Sequence, residues 1–189
     1  MSTYRTHTIH HPRTSHQSVT PNPPMCLLDV SGLRVLHPLP QPATALVRKD
    51  VQLDPVVFQE IQRRLRFRPT VDLFANAQHH QLPRYFAPRE DPNAAHIDAF
   101  TANWRAETRP YCNPPWKLIA QALNKVIADE VTVLMVIPDW LRAPWYQLWE
   151  RLCIRSVVYT VPVFLDAHGN LRPKPRWNTR IGVLDGKRA

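Results

Sequence analysis

The sequence predicts a layered α/β domain, and three observations carry that expectation. Residues 131–137 form an almost unbroken β-branched run, the pattern of a strand covered on both faces in a parallel sheet. Residues 116–128 place Leu118, Ile119, Ala122, Leu123, Val126 and Ile127 on one helical stripe. Segments of these two kinds then alternate along the chain, which puts functional loops at the carboxyl ends of strands.

Residues 1–50 hold seven of the twenty prolines and five of the nine histidines, with no sustained apolar period. They are expected to form a flexible basic arm, with residues 51–189 as the folded domain. The absence of acids before Asp29 also fits a transit peptide, but Pro12, Pro21, Pro23 and Pro24 would interrupt its amphipathic helix. The apolar piece at 27–36 is expected to pack on the domain or to form a strand.

The first helix is expected at Asp54-Pro55, because Asp caps free amides and Pro fits the first turn. Phe58, Ile61 and Leu65 share its apolar face. Strands are expected at 70–74, 95–100 and 110–112, followed by the helix at 116–128 and the strand at 131–137. A helix at 144–152 and strands at 154–164 and 180–184 complete the series, with a turn at 167–170 and a basic loop between the last two strands.

The chain has 24 Lys+Arg against 15 Asp+Glu, a formal charge of +9, which attracts polyanions and makes nucleic acid the leading partner class. Arg63, Arg64, Arg66 and Arg68 at the end of the first helix suit both the helix dipole and a phosphate backbone. The loop residues Arg172, Lys174, Arg176 and Arg180 are further phosphate candidates. Trp140 and Trp145, beside a strand end, could stack a flanking base or pack in the core.

Cys26, Cys112 and Cys153 are too few and too far apart for a disulfide framework, and a reducing compartment fits them. A nuclear or host-cell cytoplasmic setting follows as the expectation, with an organellar one left open by the N-terminal arm. His79-His80 and His10-His11 lack accompanying ligands, so no metal is expected. No apolar stretch reaches the ~20 residues of a membrane span, and no membrane partner is expected. Oligomeric state is not legible.

The sharpest chemistry lies in Asn113-Pro114-Pro115-Trp116, at the end of the strand at 110–112. An exocyclic adenine amine is a poor nucleophile because its lone pair is delocalised into the ring. Acceptors aimed at its two hydrogens make the nitrogen more pyramidal, and the Asn oxygen and the first proline's carbonyl can be those acceptors. The prolines stiffen the turn and remove competing amides. Trp116 offers a stacking face to a base turned out of a duplex. Alone, the tetrad is equally compatible with an ordinary turn beside a packed indole.

The surrounding blocks sharpen it. Val71-Asp72-Leu73-Phe74-Ala75, Leu82-Pro83-Arg84-Tyr85-Phe86, Ile97-Asp98-Ala99-Phe100 with Trp104, the tetrad, and Ile137-Pro138-Asp139-Trp140 with Pro144-Trp145 occur in that order. Over residues 53–184 this series resembles the phage-type DNA N-6-adenine-methyltransferase (Dam) family. It resembles more closely the Dam-like domain of DIRS-type tyrosine-recombinase retrotransposons. The resemblance implies a Rossmann-like methyltransferase fold with a mostly parallel central sheet flanked by helices, and S-adenosylmethionine as cofactor. It implies Asn113, Pro114, Pro115 and Trp116 as catalytic residues, and Asp72, Phe74, Ala75 and Asp98 as cofactor contacts.

Two departures bear on that reading. None of the four glycines lies between Gly32 and Gly169, so a Gly-rich cofactor loop is absent, and Trp stands where Tyr or Phe is more frequent. The tetrad and the resemblance together imply adenine-N6 methylation of DNA as the expected function. A catalytically silent nucleic-acid-binding or structural component of a ribonucleoprotein or mobile element is the alternative. RNA or a protein glutamine as acceptor is the third reading.

Overall fold

The computed structural model describes residues 52–189, so the N-terminal arm and the apolar piece at 27–36 lie outside the described residues. Strand β1 (Gln52–Leu53) leads into helix α1 (Pro55–Arg64). The Asp54 side chain caps α1 by accepting the Val56 amide at 2.8 Å, and Pro55 opens its first turn. At the other end the Phe67 amide donates to the Gln62 carbonyl and the Arg66 amide to the Arg63 carbonyl. This paired closure requires a left-handed residue, and Arg66 supplies it with φ 47° where glycine is the usual choice.

Next come β2 (Val71–Asp72), β3 (Phe86–Ala87), β4 (His96–Ile97) and β5 (Pro110–Cys112). Helix α2 (Ile119–Ala128), β6 (Thr132–Pro138), α3 (Tyr146–Leu152), β7 (Cys153–Tyr159), β8 (Phe164–Leu165) and β9 (Thr179–Asp185) follow. The central sheet has the order β2-β5-β6-β9-β7. Strands β2, β5 and β6 pair in parallel, whereas β9 is antiparallel to both β6 and β7. The sheet is therefore mixed: β2, β5, β6 and β7 run one way, and β9 alone runs back between the last two.

Alternation along β6 divides the core into two layers. Val133, Met135 and Ile137 face α2 and α3, packing with Leu123, Val126, Trp149 and Leu152. Leu134 and Val136 face α1, packing with Phe58, Ile61, Leu65 and Tyr111. Burying both faces of one strand explains why residues 131–137 carry no polar alternation. Among the described residues, no helix is long and apolar enough to cross a membrane.

Several elements differ from their expected extents. The strand at 70–74 shortens to β2 because the Asp72 carboxylate bends back to accept the Phe74 amide at 3.2 Å. The strand at 95–100 shortens to β4 and joins β3 in a separate two-stranded sheet, since Asp98 turns left-handed at φ 59° and accepts the Phe100 amide. The strand at 154–164 divides into β7 and β8 around Pro162, and β8 pairs with β1 instead of the central sheet. The helix at 116–128 begins with a 3₁₀ turn, Trp116–Leu118, before α2.

Candidate functional site

Because β2, β5 and β6 are parallel, their carboxyl ends open onto one edge of the sheet. The loops after them contain Leu73-Phe74-Ala75, the tetrad, and Asp139-Trp140. The loop leading into β9 reaches the same edge, since Thr179 pairs with Pro138 and the Asp139 amide donates to the Asn178 carbonyl at 2.8 Å.

Asn113 is buried, at 7% exposure, at the end of β5. Tyr111, two residues earlier and on the same face, lies fully buried against Phe58, with ring centroids 4.9 Å apart. Its hydroxyl sits beside Asn113 and Asp72 without a hydrogen bond of good geometry. Burial, and then the Asp72 carboxylate, push that phenol well above its ordinary range, so it stays neutral. The Pro115 carbonyl accepts the Leu118 amide at 2.7 Å and holds the 3₁₀ turn. The Pro114 carbonyl accepts no hydrogen bond among the described residues, which leaves it and the Asn113 amide as neighbouring polar groups.

Trp116 is 42% exposed and belongs to a group of three indoles. Its ring meets Trp140 at 5.5 Å and Trp177 at 5.0 Å, and Trp140 meets Trp177 at 5.3 Å, all edge to face. Trp145 lies 6.5 Å from Trp140 and extends the group toward Tyr146. Trp177 was not among the residues expected from sequence. It stands in an aperiodic Pro- and Arg-rich loop, and its only signal there was an indole between basic residues.

Beneath this group, Asp139 accepts from Arg180 at 2.8 Å and from the Tyr146 hydroxyl at 3.1 Å. The Arg180 guanidinium also lies over the Tyr146 and Trp149 rings at 5.7 and 5.5 Å. This corrects the expectation that Arg180 is a loop phosphate contact: its charge is taken up by a carboxylate and two aromatic faces. Burial, opposed by Arg180 and aided by the bond to Asp139, lifts the Tyr146 phenol to about 12. Arg172, Lys174 and Arg176 are exposed in the loop that carries Trp177.

The residues considered as cofactor contacts occupy two adjacent loops. Phe74 meets Phe100 at 5.4 Å and Trp104 at 6.1 Å, joining the loop after β2 to the turn after β4. Asp98 is exposed and fixes that turn. Asp72 is fully buried, and its two oxygens accept the Phe74 and Gln81 amides at 3.2 and 3.1 Å. It organises the loop from beneath, and Ala75 packs with Tyr85 and Ala87.

The arginines of α1 are not part of this edge. Arg63, Arg66 and Arg68 lie where the chain enters β2, at the amino end of the parallel strands, and Arg64 pairs with Glu60 at 3.1 Å. The two basic clusters expected from sequence thus fall on opposite edges of the sheet. No group of three or more His, Cys, Asp or Glu that could hold a metal occurs among the described residues. A comparison with protein-family models finds no family that matches the chain, and a search of curated proteins finds no matching relative.

Proposed function

We propose that the described domain is an S-adenosylmethionine-dependent methyltransferase, of Rossmann-like type, that methylates N6 of an adenine turned out of DNA. The observation that carries this reading is the end of β5. There a buried Asn113 amide and an unengaged Pro114 carbonyl adjoin a half-exposed Trp116. Supporting it are the common direction of β2, β5, β6 and β7 and the convergence of three loops on one carboxyl edge.

The chemistry follows from that arrangement. Trp116, backed by Trp140 and Trp177, stacks the extruded base. The Asn113 oxygen and the Pro114 carbonyl accept from the two amine hydrogens. Positive charge accumulating on N6 during attack is then met by two carbonyl dipoles already in place, and the surplus N6 proton passes to solvent after transfer. S-adenosylmethionine, when bound, supplies a methyl group on a positively charged sulfur. The residues suit such a group in part: Phe74, Phe100 and the exposed Asp98 offer aromatic surface and a carboxylate, while Asp72 shapes the loop indirectly.

The second reading is a silent nucleic-acid-binding component. The observation favouring it is Asp72, whose oxygens both bind backbone amides rather than standing open. Transfer of labelled methyl to adenine-containing duplexes separates the two, with wild type and Asn113→Ala compared at equal folded concentration. Activity in wild type that collapses in the variant supports the enzyme. Equal activity in both removes the mechanism, and no transfer by wild type leaves the silent component.

A further inference from the structure

At the amino edge of the sheet, Arg63, Arg66, Arg68 and Arg109 line an open groove of about 590 Å³ together with Gln59 and Gln62. Arg63 and Arg66 come from the end of α1, Arg68 from the segment entering β2, and Arg109 from the residue before β5. No carboxylate lines the groove. All four arginines are exposed, and none is ion-paired among the described residues. By contrast Arg64, Arg84, Arg105 and Arg180 each have an acidic partner.

Two of the four also stand at positions that the fold would more easily give to glycine. Arg66 and Arg109 have φ of 47° and 53°, in the left-handed region that long side chains rarely adopt. Favourable interaction with the α1 dipole accounts for cations at Arg63 and Arg66. It does not account for Arg68 or for Arg109, which arrives from a different part of the chain. Concentrating four unpaired like charges, two of them on left-handed backbone, opposes folding, and a bound polyanion offsets the charge repulsion.

We propose that this groove binds the phosphodiester backbone of nucleic acid, separately from the carboxyl edge, so that the domain grips nucleic acid on two opposite edges of its sheet. Guanidinium forks match phosphate oxygens, and the two glutamines add neutral groups suited to phosphate or sugar. The groove is open rather than enclosed, which suits a strand that continues past it better than a small anion. Binding in the groove does not depend on methyl transfer, whereas the second grip, at the carboxyl edge, rests on the function proposed above.

The test is binding of the full chain to a short labelled duplex across a salt series, without cofactor, so that an inactive enzyme leaves the result readable. Arg66→Gly combined with Arg109→Gly removes two charges where glycine relaxes the backbone, so the melting temperature is expected not to fall. Duplex affinity is expected to drop about tenfold or more, and the log–log salt slope to shrink by roughly one for each lost phosphate contact. Glu60→Gln, on α1 but outside the groove lining, is expected not to lower duplex affinity or shrink the salt slope. Arg63→Gln with Arg68→Gln, which leaves both left-handed turns alone, should repeat the result if the glycine pair melts lower. Unchanged affinity and slope in a folded variant would overturn the proposal. So would unchanged duplex binding accompanied by lost competition from inorganic phosphate.

Discussion

At the carboxyl edge of the central sheet Asp139 is matched against Arg180 and Tyr146 beside the indoles of Trp116, Trp140 and Trp177, and the loop that carries Trp177 adds the exposed Arg172, Lys174 and Arg176. At the amino edge four arginines stand without a carboxylate, two of them on strained backbone. Aromatic faces clustered at one edge suit a flat group held in one orientation. An edge of unpaired cations suits a charged chain held in any register. On the proposed function and the proposed groove, specificity and adhesion fall at opposite ends of the same strands, and each is expected to be damaged without the other.

The largest expected effect tests that separation directly. Asn113→Ala should lower methyl transfer by about a hundredfold or more, the usual scale for removing a preorganised polar group at a reacting centre. Duplex affinity and its salt slope should stay at wild-type values, because the groove is untouched. The same kinetic loss accompanied by lost affinity would mean that the two edges act as one surface.

A substitution between the edges should instead disturb both. Gly182 lies in the middle of β9, opposite Met135 and Ser156, and an added Cβ would meet Trp149 Cζ2 at 2.7 Å. Gly182→Ala forces that buried indole or the strand to move, at roughly 1–3 kcal/mol of unfolding free energy. Denaturant unfolding would measure it. An unchanged midpoint would show that Trp149 yields freely to the added methyl group.

The two edges also differ in how much of them was legible in the sequence. Asn113 to Trp116 and the helix behind them follow from local pattern: a short strand, two prolines, then Ile119, Ala122, Leu123 and Val126 at helical spacing. The β-branched run at 131–137 announced a strand covered on both faces, and β6 is one. The reversal of β9 was not legible, because pairing direction depends on partners distant in sequence. For the same reason Trp177 and Arg109 were missed: their neighbours come from other loops, and nothing periodic surrounds them. Arg180 was misread because a basic residue looks alike in sequence whether its carboxylate is near or absent.

Trp177 gives a smaller effect confined to the carboxyl edge. Trp177→Ala removes one of the two indoles against Trp116, so capture of an unpaired adenine should weaken by roughly 1–2 kcal/mol, within the range for one lost stacking contact. Titration with an adenine-containing single strand measures this, read beside the melting temperature. A lower melting temperature with unchanged affinity would make Trp177 a packing residue only.

The smallest expected effect concerns the network beneath those indoles. Tyr146 holds its proton more tightly in the folded chain, at about 12 against 10 for a free phenol, chiefly because it is buried and despite the opposing charge of Arg180. Below pH 10 both folded and unfolded chains keep the proton, and the contribution to stability is intact. Between pH 10 and about 12 the unfolded chain loses it first, so stability falls as pH rises. Tyr146→Phe should cost about 1 kcal/mol near neutral pH, the scale of one hydrogen bond, here to Asp139. The variant should also show a shallower alkaline decline. The decline should not vanish, since burial raises the Tyr111 and Tyr159 phenols as well. Because no tyrosine lines the arginine groove, this loss belongs to the carboxyl edge. Urea midpoints for both proteins through that range provide the measurement. Identical alkaline slopes would mean that the Tyr146 phenol loses its proton alike in folded and unfolded chains, and so is not shielded by burial beside Asp139 and Arg180.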